Sequence, residues 1–149
     1  MATWQEFSDS APDLARAVRD RFALRKHCTM ATLRKDGSPR ISGTEVELSD
    51  GQVWIGSMPG AMKALDLRRD PRVALHSPTV DPPEDCPSDW PGEAKIAGRA
   101  VEVDNDDPDD SSHRFRIEID ETVLTRVSGD SLRIQSWHPG RGVEEKLRS

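Results

Sequence analysis

Ser57 and Lys63 are the side chains of this 149-residue sequence whose types and spacing best suit chemistry on a phosphate. They lie in GSMPGAMKALDLRRDPRVALH, Gly56 to His76, which reads as a strand end, a short helix and a second strand. Pro59 and Gly60 precede the helix, Met62 and Leu65 give it an apolar side, and Pro71 stops it after Asp70. Lys63 then falls in the first turn, where the helix dipole disfavours a cation, whereas Arg68 and Arg69 obey the dipole at the other end. A phosphate docked on the free N–H groups of that turn would turn the lysine into a partner. The plainer reading is a solvated lysine on a surface helix. The stretch is not a triphosphate-binding loop, because no glycine directly precedes Lys63 and Ala64 replaces the hydroxyl residue that would hold magnesium.

Other reactive residue types form no constellation. His27 beside Cys28 lacks an orienting carboxylate at a recognisable spacing, so Cys28 reads as a buried, inert thiol. The acidic run Asp104 to Asp110 lacks the glycine and the closing glutamate of a calcium loop, with Asp109 and Phe115 at those positions, and reads as a solvated turn. No metal site is expected. The sequence has no tyrosine, and its four histidines are its near-neutral titrating side chains. No catalytic residue can be assigned from spacing alone.

The elements that position Ser57 and Lys63 are mostly strands. Leu14, Val18 and Phe22 recur at helical spacing, so Pro12 to Lys26 should be an amphipathic helix, with Ser10 and Asp13 as a capping pair. Strands are expected over Cys28–Leu33, Arg40–Leu48 and Gln52–Ser57, joined by turns at Asp36-Gly37 and Asp50-Gly51. Arg72–His76 follows the Lys63 helix, and the proline-rich stretch Ser77 to Pro91 reads as an irregular loop. Glu93–Val103 alternates around Gly98, which suggests a bulge. Phe115, Ile117 and Ile119 alternate, Val123–Val127 continues, Gly129-Asp130 turns the chain, and Leu132–Trp137 closes the sheet. About seven antiparallel strands with two helices make a mainly β barrel, a single domain over residues 1–149.

The order and residues of these elements resemble the flavin-binding split barrel of the pyridoxamine 5'-phosphate oxidase superfamily. The carriers are TMATLRKDGSPRISGTEVEL, DGQVWIGSMPGAMKALDLRRDPRVAL, GEAKIAGRAVEV and the closing WHPGRG. In that family a Ser or Thr ends the third strand six residues before a helix-borne lysine and contacts the flavin phosphate, and a proline stands eight residues after the lysine. Ser57, Lys63 and Pro71 match this spacing. Ala61, Met62 and Glu45 stand where the family's oxidases carry Ser, Arg and a basic residue, so Arg40, Ser42 and Thr44 on the second strand are the expected substitutes. Trp137 and Arg141 resemble the Trp and Arg that close the oxidase site; the substrate-binding Arg-x-His has no counterpart.

By that resemblance the protein is a homodimer with its cofactor, FMN or the deazaflavin coenzyme, at the subunit interface. It would carry out a two-electron oxidation or reduction of a small organic molecule, with the cofactor carrying the electrons. A deazaflavin tail would want a basic groove, for which Arg34, Lys35 and Arg40 are the candidates. Two other classes stay open: a flavin- or haem-binding storage protein without turnover, and a cofactor-less dimeric interaction module. Alternation assigns Trp54 to the barrel core, leaves Trp137 between core and site closure, and makes Trp90 a loop anchor or a lid.

Composition narrows the partners. With 21 Lys+Arg against 27 Asp+Glu the net charge is -6, which argues against a general nucleic-acid binder. No apolar run approaches a membrane span, and two distant cysteines with no basic or apolar N-terminal run fit a cytoplasmic protein.

Overall fold

The computed structural model describes residues Met1–Ser149. Helix α1 spans Trp4–Ser10 and α2 spans Pro12–Ala23. The strands are β1 (His27–Leu33), β2 (Pro39–Ser49) and β3 (Gln52–Ser57), then, after α3 (Met62–Arg69), β4 (Arg72–His76) and β5 (Glu93–Val103). The chain ends with β6 (His113–Ser128), β7 (Ser131–His138) and β8 (Gly142–Arg148). All neighbours pair antiparallel in the order β3-β2-β1-β4-β5-β6-β7-β8, and a further β3–β6 pairing closes the first six strands into a barrel.

Eight strands and three helices replace the expected seven and two. The first helix is fixed by a capping box: Thr3 Oγ1 accepts the Glu6 N–H at 3.0 Å, and Glu6 Oε1 accepts the Thr3 N–H at 3.3 Å. Ser10 and Asp13 form no such pair, since α2 starts at Pro12 behind Ala11 without a side-chain cap. β7 does not close the sheet. That role falls to β6, whose first half pairs with β3 (Ser57↔His113 to Val53↔Ile117) and whose second half pairs with β7. β8 then extends the sheet as a charged outer strand, Val143 to Arg148, with no apolar alternation to announce it.

The barrel interior follows period-two alternation. Met30, Val53, Ile55, Leu75, Ile96, Phe115, Ile117 and Ile119 are all buried, and α1 and α2 seal the core with Trp4, Phe7, Val18 and Phe22. Each such side chain contributes roughly 1.5–3 kcal/mol through burial. The bulge expected at Gly98 is present between Ala97 and Gly98. A Cβ there would lie 1.9 Å from the Glu118 carbonyl oxygen, so only glycine fits.

Trp54 corrects the assignment to the core. It lies between inward Val53 and Ile55, and therefore on the outer face, half-buried. Its Nε1–H donates to the Ser49 carbonyl at 3.1 Å, and the Arg114 guanidinium covers its ring at 4.0 Å.

Candidate functional site

The barrel is split beside β2. The β2–β3 ladder runs from Ser49↔Gln52 to Val46↔Ile55 and ends there. Beyond that point β2 pairs only with β1, while Gly56 and Ser57 at the end of β3 pair with β6. α3 packs against β1 and β2 beside this divergence and is bonded to both strands. Lys63 Nζ donates to the Gly43 carbonyl at 2.7 Å, Arg40 Nε to Asp66 Oδ2 at 2.7 Å, and Arg69 Nη2 to the Leu33 carbonyl at 2.8 Å. Gly43 and Arg40 belong to β2 and Leu33 to β1, so these bonds make α3 a bridge between the two strands.

Asp66 anchors this docking. It is 1% exposed and accepts hydrogen bonds from Thr32 Oγ1 at 2.8 Å, Arg40 Nε at 2.7 Å and Arg69 Nη2 at 3.0 Å. Burial pushes its carboxyl pKa up, but the bonds from Arg40, Thr32 and Arg69 outweigh it and hold Asp66 below the ordinary carboxylate range. A buried carboxylate with three donors is a satisfied structural charge.

Ser57 is different. Its Oγ is buried and has no hydrogen-bond partner, which is costly for a hydroxyl unless a ligand supplies one. Ala61, the residue before α3, offers no side-chain cap. The Ala64 N–H is taken up by the Ala61 carbonyl at 3.0 Å, so the amides of Met62 and Lys63 have no intrahelical partner. An orphan hydroxyl, two open amides and an ammonium thus belong to one strand–helix connection. This donor set suits a phosphate.

Arg40, Ser42 and Thr44 stand opposite Thr32, Met30 and Cys28 in register and share their inward face. Thr44 is buried, and its hydroxyl finds only the Glu45 carbonyl at 3.3 Å. Arg34 donates to the Pro39 carbonyl at 2.8 Å within its own hairpin, whereas Arg40 turns to Asp66, so the two do not form one groove.

Trp137 and Arg141 are not brought to Ser57 within the chain. Trp137 is 3% exposed, packs on Phe7 at 4.9 Å between ring centroids, and donates from Nε1 to Ser10 Oγ at 3.1 Å. It pairs with Thr122 on β6, and Ser57 pairs with His113 on the same strand. At ~3.3 Å per residue those two points of β6 are roughly 30 Å apart. Arg141 is exposed beside Glu144 at 3.7 Å.

Cys28 is buried, and burial pushes its thiol pKa up, away from nucleophile chemistry. Trp90 donates to the Val80 carbonyl at 2.8 Å, as a loop anchor does. The acidic run after β5 bonds to itself, Asp107 accepting the Asp109 N–H at 2.9 Å and Asp110 the Ser112 N–H at 2.9 Å.

Sequence reasoning missed a cluster beside the split. Arg68 Nε and Nη2 grip the two carboxylate oxygens of Glu102, each at 2.7 Å, and Glu102 Oε1 lies 3.2 Å from His113 Nδ1. The Arg68 bonds, with His113 adding to them, lower the Glu102 pKa to about 2. These residues lie on α3, β5 and β6: the β5–β6 ladder sets Glu102 beside His113, and α3 brings Arg68 to both. Next to them is a cleft of about 760 Å³, bounded by Glu45, Trp54, Gly56, His113 and Arg114.

A family model described as pyridoxamine 5'-phosphate oxidase matches residues 14–131. No curated protein matches the sequence. Among solved structures, an FMN-binding protein from Nostoc punctiforme related to pyridoxamine 5'-phosphate oxidase superposes with a TM-score of 0.66 at 11% identity, covering 93% of this chain and 96% of that one. PhzG from Burkholderia lata, solved with tetrahydrophenazine-1-carboxylic acid, gives 0.65 at 15% identity and 95% coverage of each chain. HutZ, the haem storage protein of Vibrio cholerae, gives 0.54 at 14% identity, covering 74% of this chain and 89% of that one.

Proposed function

The chain belongs to the pyridoxamine 5'-phosphate oxidase family, and from that premise we propose that it binds flavin mononucleotide and catalyses a two-electron redox step on a small organic molecule. The observation that carries this reading is the buried, unpartnered Ser57 hydroxyl six residues before Lys63. Ser57 Oγ, Lys63 Nζ and the amides of Met62 and Lys63 hold the phosphate, with Ser42 and Thr44 on the facing strand beside it. Lys63 exchanges the Gly43 carbonyl for the phosphate or shares its three hydrogens between them. Arg40 serves through Asp66, by holding α3 against β2. Each charge-assisted contact contributes about 1.5–3 kcal/mol. The bound flavin supplies the electron chemistry, and the protein residues bind, orient and shield it.

The active form in this reading is a homodimer with the cofactor at the interface. Ala31 stands opposite both Ile41 and Ala74, and Ala74 opposite Ala97, so these four form a row across the outer face of β2, β1, β4 and β5. Ile41 is 76% exposed. A row of apolar side chains across an outer face suits a second copy of the same face. Trp137 and Arg141, remote from Ser57 in their own chain, would approach the cofactor of the other.

Parallel fluorescence titrations of the ligand-free protein with flavin mononucleotide and the deazaflavin coenzyme test the assignment. Micromolar or tighter binding of flavin mononucleotide supports it, tighter binding of the deazaflavin moves the cofactor assignment, and binding of neither overturns it. Consumption of reduced cofactor with candidate acceptors then separates an enzyme from a carrier.

A further inference from the structure

We propose that His113 is the positioning residue of the phosphate-binding connection: its Nε2 fixes the Gly60 N–H and so sets the turn between Ser57 and Lys63. The inference rests on the phosphate reading of that connection. Ser57 and His113 are register partners on β3 and β6, which places the imidazole beside the turn. The Gly60 N–H donates to Nε2 at 3.1 Å. Gly60 has φ +72°, a left-handed conformation that glycine adopts without strain. A histidine accepting at Nε2 carries its hydrogen on Nδ1. That hydrogen has Glu102 Oε1 as its acceptor at 3.2 Å, and Arg68 Nη2, which donates to the same oxygen, stands 3.2 Å from Nδ1.

Glu102 is itself held by the Arg68 fork and stays ionised far below neutrality, which keeps it an acceptor. Arg68 lies in the last turn of α3 and Gly60 just before its first. The chain Arg68–Glu102–His113–Gly60 therefore ties both ends of α3 to β5 and β6. His113 is 10% exposed and its Nε2 is occupied, so it acts by holding the turn and not as a free base. With Gly60 N–H committed to His113, the amides of Met62 and Lys63 are the ones left for the anion. His113 thus selects which donors the phosphate meets.

A purely structural histidine would weaken any ligand equally, whereas a positioning one acts on the phosphate alone. The test titrates the full-length, ligand-free protein with flavin mononucleotide and with riboflavin, which lacks the phosphate. His113→Leu should weaken flavin mononucleotide at least tenfold and change riboflavin by less than twofold. His113→Gln, whose amide oxygen reaches the Nε2 position, should restore most of the loss, and His113→Asn, one bond shorter, should not. The Gln and Asn variants decide the matter if the Leu variant does not fold. Unchanged flavin mononucleotide affinity, or equal losses for both ligands, overturns the proposal. A wild type that binds both ligands equally, or a Lys63→Ala variant that binds as the wild type does, would instead remove the phosphate reading beneath it.

Discussion

Arg40 of β2 and Asp66 of α3 form a buried pair, Nε to Oδ2 at 2.7 Å, with the carboxylate 1% exposed and the arginine side chain 22% exposed. With Thr32 of β1 bonded to the same carboxylate, this pair ties α3 to β1 and β2, and the position of Lys63 depends on it. Asp66→Asn keeps the shape but removes the charge that Arg40 and Arg69 share. We expect a loss of about 3 kcal/mol in urea unfolding, in the range for breaking a buried pair. A loss below about 0.5 kcal/mol, the size of an ordinary surface substitution, would show that α3 is held by other contacts.

Acid should loosen the same helix at its other end. Hydrogen bonds from Arg68 and then His113 lower the Glu102 pKa from 4.5 to about 2. A depressed folded-state pKa means that the stabilisation is fully present above 4.5 and is lost as the pH falls toward about 2. Asp66 acts in the same direction. Unfolding midpoints should therefore fall more steeply across that window for wild type than for Glu102→Gln. Parallel curves for the two proteins would exclude Glu102 as a source of the acid sensitivity.

Lys63→Ala removes the ammonium that now caps the Gly43 carbonyl. Affinity for flavin mononucleotide should drop at least tenfold, as expected for a contact of about 1.5–3 kcal/mol. The melting temperature of the ligand-free protein should change little, because the one bond lost, to the Gly43 carbonyl, is solvent-exposed. Equal affinity in a fluorescence titration would remove Lys63 from the site.

Ala74→Arg places a charge in the middle of the exposed row formed with Ile41, Ala31 and Ala97. Sedimentation should show the wild type as a dimer and this variant as a monomer. Cofactor affinity should fall with the dimer. A variant that remains dimeric would locate the interface elsewhere.

Much of the fold is legible because its causes are local. β3 and β5 have the bounds that alternation and turn residues indicate, and the Gly98 bulge follows from a glycine in an alternating strand. Two elements escaped for identifiable reasons. α1 is announced only by the Thr3 and Glu6 capping pair, and β8 is a charged outer strand whose place comes from pairing with β7. The helix bearing Lys63 and its spacing from Ser57 were also written in the chain, because both depend on residues a few positions apart.

What each side chain touches was decided by the tertiary structure alone. Trp54 lies outside the core because β3 turns Val53 and Ile55 inward, and Trp137 lies inside it because α1 brings Phe7 and Ser10 across β7. Arg40 found Asp66, Lys63 found Gly43, and Glu102 found Arg68 and His113 through strand pairings and a helix crossing that join distant positions. Propensity and periodicity act over a few residues and determine which elements form and which face is apolar. The partner of a long polar side chain depends on where the barrel closes, and here it closes through β3 and β6, while β2 and β3 part after Val46 and Ile55.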